Sequence, residues 1–194
     1  MVIMETLRAG DLRLQIIHDE DACSPRDEYC DYESIMAIPR GKYDYLGDGS
    51  QHELCVEILS KRDDDGMNAD EIEVWLNTRF GTVLPLYVYD HSGISIRTFR
   101  HGQHAGWDCS MVGWFVHPLA DKEELLEREL DTYDDYVTGN CYGYNLTRME
   151  TCDKGHEHEA DEVGSCWGFL GDDYEKSGLM DYARSDGWPE EVSE

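Results

Sequence analysis

Cys152, His156, His158 and Cys166 are the residues whose types most nearly form a metal-binding set. Two thiolates and two imidazoles would suit a structural zinc ion, and Cys141 could replace either cysteine if the loop bends. Their spacing, C-x3-H-x-H-x7-C, is not a standard finger pattern. Scattered buried thiols and exposed histidines are therefore preferred. No metal site is assigned, and zinc is kept only as a possible cofactor. A second set, His101, His104, Asp108 and Cys109, lies in a glycine-loosened loop in which nothing orients an open coordination position. Asp19, Asp21, Asp27 and Asp31 offer oxygens to a hard cation. That segment lacks the central glycine of a calcium loop, so a solvated acidic loop is expected.

Catalytic chemistry has weaker support. Asp90, His91 and Ser92 are adjacent on a turn, but a triad needs convergence in space rather than in sequence. Asp90 is expected to cap its turn through backbone N–H groups. His156-Glu157-His158-Glu159 contains the H-x-E half of a deaminase signature without the P-C-x-x-C half. There is no G-x-S-x-G, Walker lysine, H-E-x-x-H or dinucleotide fingerprint. No catalytic residue is assigned, and a non-enzymatic role is expected.

What remains is charge. The chain of 194 residues has 43 acids against 16 bases, a formal net charge of -27. Such a balance disfavours direct binding to a phosphate backbone, which needs positive charge. It suits hydration in a salty cytoplasm, cation binding, or docking on a basic surface such as a nucleic-acid groove. The acids are uneven: residues 66–120 carry a net of -2, while residues 150–194 carry -11. An almost neutral apolar centre is thus flanked by acidic sequence. The carboxylates singled out for a partner are Glu123, Glu127, Asp131, Asp134 and Asp135, supported by Asp172, Asp173 and Glu175.

Elements must hold those groups in place. Val83–Tyr89, Ile94–Thr98 and Cys109–Val116 read as three strands of an antiparallel meander, with Pro85 suiting an edge or a strand beginning. Leu12–Ile17 alternates as a strand, and Ile35–Ile38 is a short buried one. Leu54–Leu59 is a brief apolar piece. Asn68 and Glu71 have capping-box spacing for a helix with Ile72, Trp75, Leu76 and Phe80 inward, stopped by Gly81. A second helix starts at Asp121, buries Leu126, Leu130, Tyr133 and Val137, and ends at Gly139. Its outer face carries Glu123, Glu127, Asp131 and Asp134 one turn apart, where like charges cost a few tenths of a kcal/mol per pair, on the order of what a purpose or salt adaptation could sustain. Cys141–Leu146 is a strand, Cys152–Val163 an acidic loop, and Ser165–Leu170 a final strand buried through Trp167 and Phe169 or Cys166. Asp172 can cap a last helix, and the tail from about 187 is expected to fray. The sum is a single α+β domain over 1–194, a mainly antiparallel sheet with helices packed on one side. No run reaches membrane-spanning length and MVIMETLRAG has no signal-peptide pattern, so a cytoplasmic protein is expected.

As a set, DEDACSPRDEY, RGKYDYLGD, LPLYVYDHSGISI, WDCSMVGWFV, TYDDYVTGNCYGYNL and SCWGFLG resemble a family of small acidic proteins of phages, plasmids and other mobile elements. The similarity spans nearly the whole chain. The LPLY-x-YDHSG piece falls on Leu84–Gly93 and the W-D-x-x-x-V-G piece on Trp107–Gly113, whereas Cys152–Val163 is individual to this chain. The resemblance implies a mobile-element setting and carries no activity with it. In that setting the expected function is inhibition of a host defence complex, of the anti-restriction or anti-CRISPR type, by an acidic DNA mimic. Its partner would be a basic nucleic-acid-binding host protein in the host cytoplasm, with no membrane. The alternatives are a zinc-stabilised or metal-dependent accessory protein or enzyme, and a housekeeping protein adapted to salt.

Overall fold

The apolar strands of the middle of the chain lie side by side, but not in sequence order. The computed structural model describes residues 2–26, 32–99 and 108–189. In chain order the elements are β1 (Val2–Ala9), β2 (Leu12–His18), β3 (Ile35–Ala37), α1 (Glu53–Asp63), α2 (Ala69–Asn77), β4 (Thr82–Asp90), β5 (Ile94–Thr98), β6 (Cys109–His117), α3 (Glu123–Thr138), β7 (Cys141–Thr151), β8 (Glu157–Leu170) and α4 (Leu179–Ser185). The fold is α+β with antiparallel sheets. Its strands form two four-stranded sheets rather than one, ordered β1-β2-β7-β8 and β3-β6-β4-β5. They belong to two compact units: Met1–Ser24 with Gly139–Glu194, and Pro25–Thr138.

In the Pro25–Thr138 unit, β4 is central. It pairs with β5 on one side and β6 on the other, so the expected meander is corrected: β6 joins β4 and not β5. Pro85 is tolerated in this central strand because the ladder to β5 begins only at Leu86; the Pro85 carbonyl instead accepts from Thr98 Oγ1 at 2.8 Å. Both faces of the sheet are buried. Leu84, Leu86, Val88, Ile96 and Phe115 meet Leu126, Leu130 and Tyr133 of α3. The alternate residues Ala37, Trp114 and Val116 meet Leu54, Cys55 and Ile58 of α1 and Ile72 and Leu76 of α2. Helices therefore cover both sides here, which explains why the sequence is a near-continuous apolar run instead of an alternating one. The expected brief apolar piece at Leu54–Leu59 is the inner side of the eleven-residue α1. The capping box of Asn68 and Glu71 is formed as expected. That helix ends at Asn77, before Gly81; Gly81 lies against the Leu119–Ala120 backbone, where a Cβ would collide.

In the other unit one helix, α4, lies on one side of the sheet. Leu14, Ile16, Tyr144, Leu146 and Phe169 pack against Leu179, Ala183 and Trp188. Four expectations change here. The acidic stretch Cys152–Val163 is a tight turn followed by the first half of the fourteen-residue β8. Trp167 is half-exposed and lies across Gly143, while Phe169 takes the core position. The Tyr142/Tyr144 register shift, with Gly168 at φ +85°, turns the two aromatics apart. The last helix starts at Leu179, not near Asp172, and Trp188 is buried, with its backbone N–H donating to the Ala183 carbonyl at 2.9 Å. The expected fraying thus does not begin at 187; residues 190–194 lie outside the described residues. Among the described residues no helix is long and apolar enough to cross a membrane.

Candidate functional site

The site is the outward side of α3, and its placement begins with what anchors the helix from behind. Leu126, Leu130 and Tyr133 recur at helical spacing and are buried, which fixes the face that α3 turns to the sheet. The helix begins at Glu123. Asp121 lies outside it in the left-handed region, at φ +57°, and the Lys122 N–H donates to Thr82 Oγ1 at 3.1 Å. Gly139, at φ +81°, follows its end as expected.

Two of its acids are structural. Glu129 reaches a network built on Arg26, whose side chain is only 6% exposed. Arg26 donates from Nε and Nη2 to the two oxygens of Asp48, both at 2.9 Å, and from Nη2 to the Ser34 carbonyl at 3.1 Å. Its Nη1 lies 3.4 Å from Glu129 Oε2, and the guanidinium sits 5.1 Å from the Phe115 ring centre. Asp48 also accepts from the Met36 N–H at 2.7 Å. The network ties the start of β3 to α3, and nothing in the sequence around Arg26 signalled it. Asp134, expected to face a partner, instead accepts from the Ile96 N–H at 2.7 Å and from Ser95 Oγ at 3.2 Å. Both of its oxygens are thus engaged on the outer edge of β5 instead of being turned to solvent.

The remaining acids face outward to different degrees. Glu123, Glu124 and Asp131 are exposed; Glu127 and Asp135 are half-buried. Arg128 is the one base within α3. With Glu129 and Asp134 turned inward, five outward acids and one base remain on a sixteen-residue helix. At 1.5 Å per residue that is roughly one net charge per 6 Å, against about one per 3.4 Å for a single DNA strand. Glu127, Asp131 and Asp134 also line a shallow depression with Leu130, Thr98 and the exposed Arg97, whose Nε donates to Ser95 Oγ at 3.0 Å. The acidic face therefore contains one cation from β5.

Asp172, Asp173 and Glu175 belong to the other unit, in the turn before α4. Asp173 is held below the usual carboxylate range, first by Lys176 at 2.9 Å and then by the Glu175 N–H. It organises its own turn. A row missed in the sequence lies on β8: Glu157, Glu159, Asp161 and Glu162 are all exposed on an edge strand. Arg8 pairs with Glu157 at 3.0 Å and Arg13 with Glu159, so that row is partly neutralised across the sheet. Charged residues on an edge also discourage strand addition by another chain.

The metal and hydrolytic candidates do not assemble. Cys152 and His156 sit in the β7–β8 turn, but His158 and Cys166 are eight residues apart along β8, roughly 26 Å at strand rise. Backbone N–H groups of Lys154 and His156 hold the exposed Cys152 thiol below its ordinary range. Cys141 is buried at the start of β7, where burial pushes its thiol up to about 11. Of the other sets, His101, His104, Asp27 and Asp31 lie outside the described residues. Among the described residues no group of three or more His, Cys, Asp or Glu could hold a metal ion. Asp90 does not cap its turn; it accepts from Lys42 Nζ at 2.5 Å and Tyr43 Oη at 2.7 Å, and the hydrogen bond from Lys42 holds it below the usual range. His91 Nδ1 lies 3.9 Å from Asp108, while Asp90 is engaged by Lys42 and Tyr43. No family model, curated protein or solved structure matches the chain.

Proposed function

We propose that the protein is a non-catalytic inhibitor that places the outward carboxylates of α3 in the nucleic-acid groove of a basic partner, as a DNA mimic. The observation that carries this reading is a one-sided acidic helix anchored from behind. Glu123, Glu124 and Asp131 are exposed, while Arg26 and Asp134 fix the other flank. Like-charged neighbours one turn apart weaken a helix, so an interaction with Arg or Lys of a partner would relieve a cost already present. The resemblance to mobile-element proteins supplies the setting: an anti-restriction or anti-CRISPR role in the host cytoplasm. No residue of the face acts on a bond. Each carboxylate stands in for a phosphate.

The test uses immobilised protein and host lysate, with elution by a duplex oligonucleotide. Reversing Glu123 and Asp131 to Lys is preferred to changing Glu127, because both are exposed. The expected result is a captured DNA-binding protein that duplex DNA releases and that the double reversal fails to capture. Capture that duplex DNA leaves intact would refute mimicry.

A further inference from the structure

The Pro25–Thr138 unit contains a cavity of about 410 Å³ that the acidic face does not use. Its origin is a sheet irregularity. β3 is three residues long and its pairing with β6 ends at Ala37–Trp114. Beyond that point β6 bulges: Leu86 faces Gly113 and Tyr87 faces Met111, leaving Val112 as the extra residue. The chain runs on from β3 through Ile38–Gly41 along one wall, and α1 and α2 close the space from the sides. Ile38, Ile58, Ile72 and Met111 supply an apolar lining. The volume falls within the roughly 300–1,000 Å³ of small-molecule sites.

Two of the lining residues carry a buried donor without an acceptor. Trp114 is 6% exposed, and its indole Nε1 has no hydrogen-bond partner among the described residues. The same holds for the buried Nη2 of Arg62. Buried donors are nearly always paired, and neither atom presents surface to the cavity as it stands, so an acceptor there would reach them only as these two side chains turn toward it. The charge agrees. The charged lining groups are Arg40 and Arg62, in a chain whose net charge is -27. Both reach the same carboxylate, Asp63, at 3.6 and 2.9 Å. The two guanidinium groups thus share one carboxylate beside the cavity.

We propose that this cavity binds a small organic anion. Its planar apolar body would lie along Tyr43, Met111 and Val112, and its acidic group would accept from the guanidinium groups of Arg40 and Arg62, with Trp114 Nε1 turning toward it. The probe is anilinonaphthalene sulfonate, and the control is N-phenylnaphthylamine, the same body without the acidic group. Saturable one-site fluorescence binding is expected, with the sulfonate favoured by at least tenfold. Arg62→Met should reduce that preference by about tenfold, and Ala69→Phe should fill the cavity and remove binding. Should Ala69→Phe fail to fold, Arg62→Met and the indole N–H resonance of Trp114 decide the matter. That resonance, identified by its loss in Trp114→Phe, should shift on saturation with the sulfonate. Equal binding of both probes, or binding unchanged by Arg62→Met, would overturn the proposal. So would a Trp114 resonance that does not move.

Discussion

Replacing Arg26 by Met should cost more stability than any other single charge removal in the Pro25–Thr138 unit. The methionine keeps most of the apolar contact with Phe115 but removes the cation. Asp48 and Glu129 then remain at 21% and 15% side-chain exposure without their common partner. Removing one member of a buried ion pair costs about 3–5 kcal/mol. Asp48 keeps the Met36 N–H, so the lower end, about 3 kcal/mol, is the expected loss. For a unit of this size that corresponds to a fall in Tm on the order of 10 °C. Denaturant unfolding followed by tryptophan fluorescence measures it. The triple variant Arg26→Met, Asp48→Asn, Glu129→Gln should recover at least ~1 kcal/mol, because the stranded charges are gone. A loss under ~1 kcal/mol for Arg26→Met would match an exposed ion pair and refute the claim that this network anchors α3.

Asp134→Ala should destabilise by about 1–3 kcal/mol, since the Ile96 N–H and Ser95 hydroxyl lose their acceptor, whereas Asp131→Ala should change stability by less than about 0.5 kcal/mol; chemical denaturation of both separates a structural acid from a displayed one. Alkaline pH should unfold the protein through its buried thiols. Burial pushes Cys55 and Cys141 up to about 11, so their contribution is fully present below the ordinary thiol value of 9.0 and is lost as pH rises toward 11. Thermal melts from pH 8 to 11 should fall most steeply in that window, and a flat profile there would contradict the burial. In thiol titration with a disulfide reagent at pH 7.5, Cys152 should react before unfolding and well ahead of Cys55 and Cys141; simultaneous labelling of all three would contradict this order.

The elements legible in the sequence were those written in local chemistry. The Asn68–Glu71 capping box, the Leu126–Leu130–Tyr133 stripe and the turn after Tyr89 all depend on neighbours within a few residues, and all formed. What stayed hidden depends on distant partners. β8 looks like a loop because both faces of its first half are exposed on an edge strand, which removes the apolar alternation that marks a strand. β6 crosses to the far side of β4, where it also pairs with β3, a strand more than seventy residues earlier, and no local pattern signals that partner. On α3 the helical spacing located the acids correctly but could not separate Asp134, bound to the edge of β5, from Asp131, displayed to solvent. Arg26 lies in an irregular stretch with no periodicity, so its partnership with Asp48 and Glu129 required the fold.

The most direct test of the acidic face is competition on a single captured partner. Fluorescence anisotropy of a labelled duplex bound to that partner is followed as the protein is added at physiological salt. One-for-one displacement of the duplex is predicted, weakening as salt rises and lost when Glu123 and Asp131 are reversed to Lys. A ternary complex, in which the partner holds duplex and protein together with neither affinity reduced, would contradict DNA mimicry outright.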